Sequence, residues 1–115
     1  MKYRPANPDI KLLADQLSVL GNANRLTILE HLTHGEMQVN VLAKKLDLGQ
    51  SALSQHLAIM RACDFVTTRR ASQAIFYSIQ KEPIALALAR AHALLVDQQY
   101  EPDMARHGTE AASRG

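Results

Sequence analysis

The sequence predicts a mainly α-helical domain that carries a two-stranded β-hairpin, in the element order α-α-α-α-β-β-α. Three observations lead to this fold class. Apolar residues recur at helical spacing through the first half of the chain. Two of the predicted helices are joined by the three-residue turn Asp47-Leu48-Gly49. The apolar period then changes from 3.6 towards 2 after Asp64, which is typical of strands. A length of 115 residues with 47% hydrophobic residues fits one globular domain.

The first two helices follow from periodicity and from residues that favour helix ends. We expect the first helix to run from Asp9 to Gly21, where Asn22 or Asn24 can cap the second helix. The second helix is expected to stop at Gly35. Its predicted inward row consists of Leu26, Leu29 and Leu32.

The third and fourth helices are predicted over Val39–Leu46 and Gln50–Ala62. Ala43 is small at the point where the two helices would cross closely. Asp47 is a residue type that tolerates the unusual backbone angles of a tight turn. At 100° per residue, the inward side of the fourth helix is formed by Leu53, Leu57 and Met60.

The remaining elements are the hairpin and a fifth helix. Residues 65–70 and 74–79 are rich in β-branched and aromatic residues and flank the polar link Ala71-Ser72-Gln73. Pro83 suits the first turn of a helix that would reach about Tyr100. The predicted domain therefore covers residues 9–100, between a flexible arm, 1–8, and a disordered tail, 101–115.

The outward side of the fourth helix has an unusual composition for a solvated surface. Its residues are small and polar, and only Arg61 at the edge is charged. An ordinary solvated face usually carries Glu and Lys, whereas Gln and Ser can donate to and accept from base edges, Gln pairing well with adenine. The alternative is an ordinary polar helix face. His56 lies beside the inward side, so packing or a phosphate contact suits it better than base reading.

The charge of the hairpin supports a nucleic-acid partner. The formal net charge of +2 is too small to decide, but residues 50–81 hold four cationic side chains against Asp64 alone. Arg69, Arg70 and Gln73 lie in or beside the hairpin turn and could contact phosphates or the minor groove. The full set of predicted DNA contacts is Gln50, Ser51, Ser54, Gln55, His56, Arg61, Arg69, Arg70 and Gln73.

Three segments resemble the ArsR/SmtB family of bacterial winged helix-turn-helix regulators. They read Leu20-Gly-Asn-Ala-Asn-Arg-Leu-Thr-Ile-Leu29, Leu48-Gly-Gln-Ser-Ala-Leu-Ser-Gln-His-Leu57 and Thr68-Arg-Arg-Ala-Ser-Gln-Ala-Ile-Phe-Tyr77. The last two are similar to a branch that contains nodulation, haemolysin and biofilm regulators. The resemblance implies a repressor that binds double-stranded DNA and whose first and last helices form a homodimer. Its operator would be roughly palindromic, with the reading helices about one DNA turn apart.

The predicted dimer interface combines apolar stripes on the first and fifth helices. In so small a chain, the same stripes could instead be ordinary core. The residues concerned are Ile10, Leu13, Leu17, Ile84, Leu88, Ala91 and Leu95.

Several functional classes have little support. Metal-sensing relatives carry a Cys-x-Cys pair where this chain has Gln38 and Asn40, and the later ligand pair is reduced to His92 and Asp97 on different helix faces. We therefore expect no metal and no cofactor. No nucleophile–base pair or phosphate-binding glycine loop indicates an enzyme. Nothing resembles a signal peptide or a membrane span, which favours a cytoplasmic location.

Two alternatives to a plain DNA reader stay open. Cys63 is the single cysteine, and a repressor switched by oxidation would need its thiol to be exposed and of low pKa. Arg61 or Arg69 would lower that pKa if either lay close. An unidentified effector site is a further version of the same alternative. A protein-interaction module that kept the fold but lost DNA binding is the other.

Overall fold

The structure, a computed structural model, describes residues 8–96. The predicted arm and tail therefore lie outside the described residues, except that Pro8 begins the first helix. So do residues 97–100, over which the fifth helix was predicted to continue. The elements are α1 (Pro8–Leu20), α2 (Ala23–Leu32), β1 (Met37–Gln38), α3 (Val39–Leu46), α4 (Gln50–Ala62), β2 (Val66–Ala71), β3 (Ala74–Ile79) and α5 (Lys81–Leu95).

Helix boundaries match the capping chemistry. The Asn22 side chain accepts a hydrogen bond from the backbone N–H of Arg25, which satisfies one of the free donors at the start of α2. Asp47 ends α3 in the left-handed region, with φ 55° and ψ 46°, so the chain turns directly towards α4. The expectation for this turn and for both helices is confirmed. Helix α5 begins at Lys81, two residues before the proline that was expected in its first turn.

The sheet has three strands instead of the two predicted. Met37 and Gln38 form a short strand that pairs antiparallel with Tyr77 and Phe76, giving the strand order β1-β3-β2. A two-residue strand is too short for alternation to show in the sequence, so pairing with β3 decides it. Below, "the wing" means β2, β3 and their turn, residues 66–79. Ser72, the first turn residue, has a φ of 60°, as tight hairpin turns require.

The core lies where α1, α2, α3 and α4 meet the base of the sheet. Its fully buried side chains are contributed by four elements and the approach to β2, and none of its buried residues is polar or charged. The largest are Phe65, Ile28, Leu32, Leu42, Leu53, Leu57, Met60 and Val66.

The inward row of α2 was predicted wrongly at one position. Leu26 is 51% exposed, and Ile28 fills the core instead. Steps of three residues turn by only 300° on a helix, so a row spaced by three drifts around the axis and leaves the buried side. Leu29 and Leu32 are buried as expected.

Candidate nucleic-acid interface

Helix α4 is fixed to the protein by one fully buried side. Leu53, Leu57 and Met60 each have no exposed surface, as the periodicity predicted. Ala43 of α3 is buried as well, and its small side chain lets the two helices approach closely. The first turn of α4 is closed by a backbone hydrogen bond of 3.0 Å from Leu53 to Gly49. The orientation of α4 is therefore set by packing.

The opposite side of α4 is exposed, and its polar side chains are not used in hydrogen bonds within the described residues. We call Gln50, Ser51, Ser54 and Gln55 the reading face. All four are exposed. Within residues 8–96, none of their side chains makes a hydrogen bond to another part of the protein. Their donors and acceptors thus face solvent and are available to a partner, and Arg61 lies exposed near the end of the same side.

His56 lies between the two sides of α4 and is engaged inside the protein. It is half-buried, and its Nδ1 accepts a hydrogen bond of 3.3 Å from Nε of Arg25. The same guanidinium donates to the carbonyl oxygen of Val19 over 3.4 Å. Arg25 therefore links the end of α1 to α4 through the start of α2. A DNA contact by His56 stays a prediction, and its visible role is to hold α4 in place.

The two arginines of the wing lie in different environments. Neighbouring residues of a strand point to opposite faces, so Arg69 and Arg70 are on opposite sides of the sheet. Arg69 donates from Nε to both carboxylate oxygens of Glu36, over 2.9 and 3.1 Å, and from Nη2 to Oε2. Its guanidinium also stands 4.7 Å from the centre of the Phe76 ring. Arg70 and Gln73 are exposed and have no such side-chain partner among the described residues.

The Glu36–Arg69 pair changes the titration of both groups. The hydrogen bond from Arg69 lowers the pKa of the Glu36 carboxyl below its usual value. Desolvation acts in the opposite direction but is weaker than this hydrogen bond. The charge of Arg69 and a hydrogen bond from the Ser78 hydroxyl lower the pKa further. The same hydrogen bond raises the pKa of Arg69. Sequence reasoning missed Glu36, because an ion pair between residues 33 apart leaves no local pattern.

Cys63 lies at the carboxyl end of α4 and is half-buried. Burial raises the pKa of its thiol, and the charges of Asp15 and Asp64 act in the same direction. The opposing cation is Arg25, instead of the expected Arg61 or Arg69, and it does not reverse the shift. A raised pKa reduces the fraction of reactive thiolate at neutral pH.

Histidines and carboxylates do not assemble into a metal site in the part of the chain that the structure describes. His31 is bonded through Nδ1 to the carbonyl of Thr27 over 3.0 Å. Gln38 belongs to β1 and Asn40 to α3, and neither residue supplies a thiolate. Across residues 8–96, no helix is both long enough and apolar enough to cross a bilayer.

The predicted dimer stripes divide into buried and exposed members. Leu13 is only 7% exposed and belongs to the core, so little of its surface is left for a partner. Ile10, Leu17, Ile84 and Ala91 are half-buried. Leu88 and Leu95 are 52% and 74% exposed. Other large apolar side chains that are exposed on α1, on α5 and just after α5, and that were not predicted for the interface, are Leu12, Leu86, Leu94 and Val96.

Comparison with known proteins identifies the family. The family model described as "Bacterial regulatory protein, arsR family" matches residues 22–68, from the start of α2 into β2. The nodulation protein NolR of Rhizobium meliloti is 46% identical over 76 residues, which are 66% of this chain and 62% of NolR, less than two thirds of that protein. The transcriptional activator HlyU of Vibrio cholerae is 38% identical over 78 residues, covering 68% of this chain and 72% of HlyU.

A solved structure supports the same family assignment as these two relatives. The crystal structure of NolR from Sinorhizobium fredii superposes with a TM-score of 0.65 and 38% identity, covering 81% of this chain and 97% of that one. The architecture described above is therefore that of a winged helix regulator, and these relatives are transcriptional regulators and not enzymes. The chain belongs to the ArsR family of bacterial transcriptional regulators.

Proposed function

We propose that the protein represses transcription by binding a roughly palindromic operator as a homodimer, with α4 in the major groove and the wing against the flanking backbone. The observation that carries the proposal is the contrast between the two sides of α4. One side is fully buried, and the reading face is exposed and makes no side-chain hydrogen bond within the described residues. A rigid helix with free amide and hydroxyl groups fits direct readout of base edges.

The reading face suggests how specificity would arise. Gln55 can pair through its amide with the N6 and N7 positions of adenine, and Ser51 and Ser54 can serve either a donor or an acceptor. Arg61, at the end of the same side, would contact phosphate. Arg70 and Gln73 at the tip of the wing would contact the backbone or the minor groove. In a homodimer, two-fold symmetry would repeat these contacts in two equivalent half-sites about one turn of DNA apart.

The dimer is proposed from the exposed apolar side chains of α1 and α5. Leu88 and Leu95 lie on one side of α5 and are 52% and 74% exposed, so this side keeps a large apolar surface that the described chain does not cover. Such a patch on a small protein indicates an interface. We expect Leu88→Glu to give a monomer in sedimentation. Val41→Glu, at an apolar residue that is 40% exposed on α3, should leave the dimer intact. A dimer that survives Leu88→Glu would contradict this interface.

Selection of bound sequences from a random pool of duplex DNA tests the DNA-binding proposal. The expected product is an inverted repeat whose half-sites are separated by about 10 base pairs, centre to centre. Binding should weaken steeply as salt rises, because phosphate contacts release counterions. Enrichment of no sequence, or of an unrepeated site, would contradict the proposed mode of binding.

A further inference from the structure

We propose that Glu36 is a positioning residue for the wing: it holds Arg69 as a structural cation on one face of the sheet and leaves Arg70 as the arginine of the wing that contacts DNA. The inference rests on the proposed function for its DNA consequence only. The pair Glu36–Arg69 is called the strut below.

The strut crosses the whole sheet. In the strand register Gln38, Phe76 and Arg69 form one row across β1, β3 and β2. Glu36 directly precedes β1, so it stands at the far edge of the sheet from Arg69. The Arg69 guanidinium therefore lies over the Phe76 ring, and the Arg69 and Glu36 side chains together span two strand spacings of about 4.8 Å each. The side chain joins the outer strand of the wing to the chain that leaves α2.

The rest of the attachment of the wing explains why a strut matters. At its base, Val66 is buried and the backbone N–H of Gln80 donates to the carbonyl of Phe65 over 2.9 Å. Farther out, the only partner strand in the described chain is β1, which supplies two residue pairs. A hairpin with so short a partner strand is weakly held in water. Arg69 is the fourth residue of β2 and acts at this weakly held part.

The contacts of Arg69 fit a structural role better than a phosphate-binding role. The carboxylate is contacted by two guanidinium nitrogens, which is the geometry of a forked, charge-assisted pair. The ring of Phe76 covers one face of the same group. The Nε and Nη2 donors of Arg69 are used by Glu36, so a phosphate would have to displace the carboxylate to make the same forked contact. Arg70, on the other face of β2, has no such competitor among the residues described.

The two roles predict opposite signs for one substitution. If Glu36 positions the wing, Glu36→Gln and Arg69→Gln both release it and both weaken DNA binding, by about fivefold in a homodimer. If Arg69 binds phosphate and Glu36 competes for it, Glu36→Gln tightens binding and Arg69→Gln weakens it. The double variant adds a second criterion, because two residues acting as one unit give no further loss when both are changed.

The experiment measures amide hydrogen exchange in the free protein and affinity for the selected duplex. We expect both single variants to speed exchange of the wing amides alike, and the charge-swapped pair Glu36→Arg with Arg69→Glu to restore slow exchange and affinity. Lys11→Gln, which breaks the exposed pair with Asp15 on α1, is the matched control and should change neither. Arg70→Gln should weaken binding and leave wing exchange unchanged.

Three outcomes decide against the proposals, and they are distinguishable. Unchanged wing exchange in both variants would overturn the strut, whatever happens with DNA. Tighter or unchanged DNA binding by Glu36→Gln, together with weaker binding by Arg69→Gln, would make Arg69 a phosphate ligand. Failure of the wild-type chain to bind any duplex would overturn the DNA-binding proposal, and the exchange data would still decide whether the strut holds the wing.

Discussion

Helix α4 and the wing carry the two sets of predicted DNA contacts, and the protein holds them in different ways. Helix α4 is held by its buried side, and the side chains of its reading face make no hydrogen bonds within the described residues. The wing is held in part through one of its own cations, since Arg69 is bound to Glu36. A well-packed helix can present every outward side chain to a partner, whereas a thin hairpin must use some of its polar groups on itself.

The largest effect is expected from a substitution on the buried side of α4. Leu57→Ala should lower the free energy of unfolding by about 2–5 kcal/mol, because it removes buried methyl groups and leaves a cavity. Urea denaturation measures the loss. Ile59→Ala on the same helix is the control, since Ile59 is 39% exposed and should cost much less. Equal losses in the two variants would show that α4 is not held by this side.

A smaller effect is expected at the free arginine of the wing. Arg70→Gln should reduce the slope of log affinity against log salt by about 0.9 per phosphate contact, so by roughly two in a homodimer that makes one contact per subunit. The measurement is a titration of the selected duplex at several salt concentrations. An unchanged slope would remove Arg70 from the interface.

Cys63 sharpens the comparison at the end of α4. Because burial raises its pKa, the thiol should react with iodoacetamide more slowly at pH 8 than free N-acetylcysteine does. The Cys63→Ser variant should bind the duplex as the wild type does, with or without peroxide. Fast alkylation together with loss of the peroxide response in Cys63→Ser would instead support the redox-switched repressor.

The smallest expected effect is the pH dependence of the strut. The folded-state pKa of Glu36 lies below its usual value, so the stability that the ionised carboxyl contributes is present above that usual value. It is lost as pH falls through the lowered folded-state pKa. We therefore expect the stability difference between wild type and Glu36→Gln to persist from pH 8 to pH 5 and to shrink in stronger acid. A difference that disappears above pH 5 would contradict the assigned pair.

Elements governed by local periodicity could be predicted from the sequence. Helix α4 was predicted with its observed bounds, and the αL turn at Asp47 follows from its residue type. The third strand could not be predicted, because two residues next to a helix have no pattern of their own. The prediction that Leu26 is buried was wrong, because residues spaced by exactly three do not stay on one face of a helix.

The reading face could be predicted from the sequence, whereas the environment of the wing arginines could not. The composition of an exposed helix face can be read along the chain, and the exposure of Gln55 and Ser54 agrees with it. The partner of Arg69 depends on how β1 lies beside β3, and that arrangement exists only after folding. Two adjacent arginines that look equivalent in the sequence therefore lie in different environments in the structure.

Base preference at the reading face tests the central claim most directly. The affinities of the wild type and of Gln55→Ala are measured for the selected duplex and for every single-base change in one half-site. We expect Gln55→Ala to lose about 1–3 kcal/mol of discrimination at one position of the half-site and to keep the preferences elsewhere. Ser18→Ala, exposed on α1, is the control. Preferences that Gln55→Ala leaves unchanged at every position would contradict readout by this face of α4.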